Sequence, residues 1–158
     1  MALIRKFDGE EGVIDFPLFS EEIVVFVSEA APLEYAERCA AYLANLPDSV
    51  IDKLCEGSIR YCESMRQHFG QMGISIPENI PLRDILKYIQ PGSLIVEEPE
   101  DDTVAFHLSM NCDWEEEHGM EWCIRDGQVL YVGSFDDVSP WESKEYFKND
   151  SWNYAVID

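Results

Sequence analysis

The tetrapeptide Arg125-Asp126-Gly127-Gln128 constrains this chain more than any other stretch. Asp-Gly favours a two-residue turn whose central residues take positive φ, and the twist of that turn matches the strands it joins. A β-hairpin is therefore expected, pairing Ile124 with Val129 and Trp122 with Tyr131 on one face. Cys123 and Leu130 share the other face. Both faces carry apolar groups, which places the pair inside a sheet rather than at its edge.

The hydrophobic period assigns the remaining elements. Gly12 to Ser28 reads as two strands joined by the short connection Ser20-Glu21-Glu22. From Pro32 to Leu46, Tyr35, Cys39, Tyr42, Leu43 and Leu46 recur at helical spacing, and Pro32 suits the first turn. Asp48 is the expected N-cap of a second helix. Its stripe is Val50, Ile51, Leu54, Cys55, Tyr61, Cys62, Met65 and Phe69, with Gly70 and Gly73 beyond its end. A third, short helix is expected near Leu82 to Ile89, stopped by Pro91-Gly92. From Ser93 onward the period is two, with a short strand at Leu94 to Glu98. In Thr103 to Asn111, Val104, Phe106, Leu108 and Met110 face one way, and Thr103, Ala105, His107 and Ser109 face the other. The aromatic tail, Ser134 to Asp158, is expected to pack back on the body, with Tyr154 to Ile157 as a final strand.

This order predicts an α+β fold: an N-terminal β-hairpin, two to three helices, then a mostly antiparallel C-terminal sheet. A single domain over residues 1–158 is expected, with a strand-helix part at 1–91 and an acidic antiparallel part at 92–158. A chain of 158 residues can bury roughly 70% of its unfolded surface, enough for a real core.

The charge narrows the partners. There are 32 acids against 11 Lys and Arg, a net charge of −21. From Glu97 to Asp158 the count is 17 acids and 3 bases, −14; the longer stretch before it has 15 and 8, −7. Such a surface favours capture of basic partners and repels nucleic acid and anionic membranes. Cys39, Cys55, Cys62, Cys112 and Cys123 make an odd number without a Cys-x-x-Cys pair. Met1 to Lys6 lacks a long apolar stretch, and no apolar run reaches bilayer length. Reduced thiols in a cytoplasmic protein are the expectation.

One segment concentrates chemistry: Cys112-Asp113-Trp114-Glu115-Glu116-Glu117-His118-Gly119. Asp113, Glu115, Glu117 and His118 could take Mn²⁺ or Zn²⁺, or Ca²⁺ through the carboxylates alone, although their spacing matches neither an EF-hand nor a zinc helix. A zinc site from Cys112, His118 and Cys123 is conceivable. His118 could act as a base, or Cys112 as a nucleophile beside it, but nearby negative charge disfavours a thiolate and no oxyanion motif accompanies the pair. A structural reading is simpler. Gly119 supplies positive φ, His118 bonds a neighbouring carboxylate or backbone group, and Trp114 anchors the turn in the core. His68 suits the negative end of its helix, and His107 has no evident partner. No catalytic residue and no cofactor are assigned.

The pieces Cys112-Asp113-Trp114-Glu115-x-Glu117-His118-Gly119, Arg125-Asp126-Gly127 and Tyr131-Val132-Gly133 resemble a family of uncharacterised bacterial domains with a Trp-acidic-x-Glu-His-Gly signature. The likeness covers about the last third of the chain. Many such small acidic proteins resemble immunity proteins of polymorphic or contact-dependent toxin systems. The resemblance implies an association with that setting, and the acidic surface makes an inhibitor that binds a basic toxin domain, a nuclease first, the leading expectation. The expected binding face then comprises Trp114, Glu115, Glu116, Glu117, His118, Asp136, Asp137 and Trp141, with Trp114 or Trp141 as buried anchors. The competing expectations are the metal site at Asp113 to His118 and a housekeeping adaptor.

Overall fold

A computed structural model of the chain describes residues 2–69 and 76–157. The elements run β1 (Glu11–Phe16), β2 (Glu21–Val27), α1 (Leu33–Ala44), α2 (Asp48–Phe69), a 3₁₀ segment (Leu82–Tyr88), β3 (Ile89–Val96), β4 (Ala105–Cys112), β5 (Glu115–Arg125), β6 (Gln128–Gly133) and α3 (Lys144–Lys148). All six strands form one sheet in chain order. Neighbours are antiparallel except β2 and β3, which are parallel. That exception follows from what lies between them: α1, α2 and the 3₁₀ segment supply the long crossover a parallel pair requires. The α+β expectation holds, with the N-terminal hairpin joined to the C-terminal sheet. The expected boundary at 91/92 falls inside β3.

The main core lies between the helices and one face of the sheet. Alternation along the strands delivers Ile14, Phe16, Ile23, Val25, Leu94, Phe106, Leu108, Trp122 and Ile124 to that face. α1 meets it with Tyr35, Ala36, Cys39, Ala40 and Leu43. The Tyr35 hydroxyl accepts from the Ala105 N–H at 3.0 Å and donates to the Thr103 carbonyl at 2.8 Å, fixing α1 to the start of β4. α2 approaches β6 closely at Gly57, where a Cβ would lie 3.0 Å from a methyl of Val132. The adjacent Ser58 hydroxyl donates to the Leu54 carbonyl at 2.7 Å and accepts from the Trp122 indole N–H at 3.0 Å. No polar atom of this pair is left unmatched in the core. Among the described residues no helix is long and apolar enough to cross a membrane.

The opposite face carries a second, smaller core of Cys123, Leu130, Tyr131, Val138 and Phe147. The C-terminal tail covers it, as expected. Arg125 Nη1 donates to the carbonyls of Pro140 and Glu142 at 2.7 and 2.6 Å. Asn153 works both ways along β6: its Oδ1 accepts from the Val132 N–H at 3.1 Å, and its Nδ2 donates to the Leu130 carbonyl at 2.7 Å.

Several expectations are corrected. The hairpin does not lie wholly inside the sheet: β6 is an edge strand, and the C-terminal tail covers its second apolar face. The connection between β1 and β2 is Pro17 to Ser20, with Glu21 and Glu22 already in β2. Asp126 and Gly127 take φ of 53° and 71°, as the hairpin turn requires, and Ile124 pairs with Val129. A bulge then shifts the register, so Cys123 pairs with Tyr131, and Trp122 pairs with Val132 rather than Tyr131. Leu130 is the additional residue, and the slip lets both Leu130 and Tyr131 reach the smaller core. Pro91-Gly92 does not end a helix; it sits within β3 at a register shift, where the ladder tolerates a missing N–H. Asp48 opens α2 instead of capping it. Tyr154 to Ile157 is no strand, because the Asn153 side chain takes the Val132 N–H that a seventh strand would need. Gly70 and Gly73 lie outside the described residues.

The Gly57 contact is testable. Gly57→Leu should lower the urea midpoint by an amount corresponding to about 2–3 kcal/mol of overpacking. Gly57→Ala should be close to neutral, because a gain in helix propensity of about 1 kcal/mol opposes the tight methyl contact.

Candidate functional site

Asp113 and Trp114 form a two-residue turn between β4 and β5, with Cys112 paired to Glu115 across it. Trp114 is only 5% exposed, and its ring stands edge-on to Tyr61 of α2 with centroids 5.6 Å apart. It anchors the turn from within, so it is not available as a surface anchor. Gly119 has φ of +65°, and a Cβ there would meet the Met110 carbonyl oxygen at 2.6 Å; a side chain is excluded on both counts. Glu115 folds back over its own strand. Its Oε1 accepts from the N–H groups of Glu117 at 3.0 Å and His118 at 3.4 Å, and its Oε2 lies 3.1 Å from His118 Nδ1. The structural reading of this segment describes what is found.

The metal reading of the same segment loses its geometry. Only Glu115 and His118 meet; Glu117 is exposed, and the Asp113 carboxylate accepts from Gln90 Nε2 at 3.1 Å. Cys112 lies in the main core and Cys123 in the smaller one, so the two do not converge with His118. Burial pushes the Cys112 thiol up to about 12, which removes it as a nucleophile near neutral pH. His68 sits in the last turn of α2 with Nδ1 2.8 Å from the Ser64 carbonyl oxygen, as its dipole role requires.

The hairpin does form one side of a surface cleft. The Phe135 N–H donates to the His118 carbonyl at 3.3 Å and brings the loop after β6 alongside. Glu115, His118, Ser134, Trp152 and Tyr154 line the cleft with Tyr61 and Met65 of α2. Tyr154 stacks on Tyr61 at 5.1 Å, and its hydroxyl donates to Ser64 Oγ at 2.8 Å. Trp152 is 53% exposed, and Phe135 is 37% exposed. Glu116, Glu117 and Asp136 are exposed, while Trp141 is half-buried against the main core.

On the smaller-core side of the sheet lies a site that periodicity did not single out. Register places Ile95, His107 and Cys123 in one row across β3, β4 and β5. Glu97 and Glu121 stand two residues along from the outer members, diagonal to His107 and within reach of it. His107 and Glu121 are fully buried. The imidazole Nδ1 lies 2.5 Å from Glu121 Oε2. The Glu121 carboxylate also accepts from the N–H groups of Asp136 at 3.0 Å and Val138 at 3.2 Å. The loop is thereby wrapped around the carboxylate, with Asp137 at its crest in a left-handed conformation, φ 51°. Asp137 Oδ1 comes to 4.0 Å from His107 Nε2, and Glu97 Oε2 to 2.7 Å. Burial alone would depress the His107 pKa; the hydrogen bond and charge of Glu121, joined by Glu97 and Asp137, outweigh it and hold the pKa above the ordinary imidazole range.

The expectation that His107 has no partner is therefore overturned. Its partners come from β5 and from segments beyond β3 and β6, and two register shifts in β4–β5 and β5–β6 hide that pairing from pattern reading. One signal was present: Glu121 is the lone acid in the otherwise apolar run Met120 to Ile124.

Two outcomes follow. Glu121→Ala should destabilise the fold by about 3–5 kcal/mol, since it leaves a buried imidazole and two backbone N–H groups without their acceptor; Glu121→Gln should cost less, and thermal unfolding of both variants measures the difference. All five cysteines are free and buried, and burial raises every thiol pKa. The native protein should leave all five unmodified by an aromatic disulfide reagent at about pH 8, and denaturant should release all of them.

No curated protein and no solved structure matches the chain. Residues 4–139 match the model of a family described as Domain of unknown function (DUF6985). The match begins near the N-terminus and takes in both long helices, well beyond the last third where the signature lies. It includes Glu97, His107, Glu121 and Asp137, and ends before α3 and Trp152. The chain belongs to that family of uncharacterised domains.

Proposed function

We propose that this protein is an acidic protein-binding module of the immunity type, which neutralises a basic bacterial toxin domain, a nuclease being the leading class, by direct binding. The observation that carries the reading is the exposed Trp152, which lines a cleft with Glu115 and His118, on a surface where Phe135, Glu116, Glu117 and Asp136 are also exposed. Large exposed aromatics ringed by charge are the usual composition of a binding hot spot. A net charge of −21 steers a basic partner toward that face before contact is made. The same field opposes nucleic acid and anionic membranes as partners.

The division of labour is specific. Glu116, Glu117 and Asp136 set the encounter rate, and Trp152 sets the lifetime of the complex. Trp114 serves from beneath by holding Tyr61, which in turn stacks on Tyr154 at the floor of the cleft.

The test is capture of purified products of neighbouring genes by the immobilised full chain, followed by association kinetics for any product retained. A basic domain should bind with an association rate that falls at least about tenfold between low and high salt. Trp152→Ala should raise the dissociation rate with little effect on association, and the double variant E116K/E117K should do the reverse. A salt-independent association rate, or affinities unchanged in both variants, would remove the proposal.

A further inference from the structure

We infer that the cluster of His107, Glu121 and Asp137, with Glu97 against the ring, is a binding site for a divalent transition-metal cation of the zinc class, Glu121 also holding the imidazole in place. The inference does not rest on the protein-binding reading; it concerns the buried carboxylate and imidazole that the same loop, Asp136 to Val138, wraps around.

His107 Nε2 is buried and has no hydrogen-bond partner among the described residues. Yet Glu97 Oε2 stands only 2.7 Å away, and Asp137 Oδ1 stands at 4.0 Å. With the ring protonated this contact is an ion pair that lacks the alignment of a hydrogen bond. With the ring deprotonated, two lone-pair donors stand across a gap from each other, as two ligands of one ion do. Ligand atoms bound at about 2.0–2.1 Å to one ion lie roughly 3 Å apart, with their lone pairs aimed at the ion and not at each other.

The other ring nitrogen supplies the supporting half. Metal-bound histidines direct their second N–H to a carboxylate, which fixes the tautomer and raises ligand basicity. Here Nδ1 is engaged by Glu121 at 2.5 Å, and Glu121 is itself pinned by the N–H groups of Asp136 and Val138. Nε2 is thus the nitrogen left to serve as ligand. The charge balance points the same way. With Nδ1 held by Glu121 and Nε2 on the ion the ring is neutral, so three carboxylates carry three negative charges, two of which a divalent cation neutralises.

Donor chemistry selects the class of ion. One imidazole nitrogen with two carboxylates suits zinc or manganese, whereas magnesium and calcium prefer all-oxygen sets. Access is available at the ligand end, because the Glu97 and Asp137 side chains are 37% and 73% exposed while His107 is closed off.

The experiment is titration of the chelator-stripped full chain with zinc chloride, followed by calorimetry, thermal unfolding and the imidazole ¹⁵N resonances of the three histidines. One zinc per chain is expected, with a raised midpoint and a displaced Nε2 resonance for His107 only. Because His107→Gln could fail to fold, the deciding variant is E97Q/D137N, which alters two solvent-reaching side chains. Its zinc affinity should fall at least about tenfold, whereas E116Q/E117Q should retain the parent affinity. Absence of a one-to-one zinc site, its persistence in E97Q/D137N, or magnesium binding of equal strength would each overturn the inference.

Discussion

The carboxylate of Glu121 is the point on which the C-terminal half is organised. Placing a carboxylate in an apolar interior costs several kcal/mol unless its oxygens are fully engaged. Here they are engaged by three donors from two separate segments: the His107 ring on β4 and the backbone of the loop after β6. One side chain thus ties a central strand to a loop that would otherwise be free of the sheet. Val138 enters the smaller core by that route, and Phe147 and the rest of the tail close over it. The tail's path, the cover on the second face and the position of Asp137 all depend on this one buried charge.

Much of the fold was legible because local chemistry and periodicity agree with the tertiary structure. Asp126-Gly127 dictated its turn through the positive φ that both positions adopt, and α1 could be read from Tyr35, Cys39 and Leu43 on one stripe. Position in the ladder was much less legible. Leu130 and the Pro91-Gly92 step each insert an irregularity whose reason lies in packing or backbone donors elsewhere. A slip of one residue turns a side chain to the other face, so an error that leaves the element list intact still moves its chemistry.

The candidate sites show the same division. The Trp114 to Gly119 segment was conspicuous as a run of unusual residues, and its roles in the turn could be anticipated one by one. His107, Glu121, Glu97 and Asp137 are distributed over 41 positions, from 97 to 137, and meet only through strand order. Trp152 was legible as an aromatic but not as an exposed one, because its exposure depends on how Asn153 and Tyr154 seat the tail. Charge was the reverse case. The excess of acids was plain in composition, while its division between a solvated rim and a buried cluster was not.

Asn153 has a consequence for the molecule's behaviour in a crowded solution. A terminal strand with unpaired N–H and C=O groups is a template on which another chain can add a strand and begin an aggregate. By engaging the Val132 N–H and the Leu130 carbonyl with a single amide side chain, Asn153 closes that template without adding a further strand. At the other end of the sheet β1 is shortened to six residues and partly capped by the bridge between Arg5 and Val13. The tail is therefore a guard against self-assembly, and a chain ending before Asn153 would expose a ready edge on a protein whose mutual charge repulsion would then be its main protection.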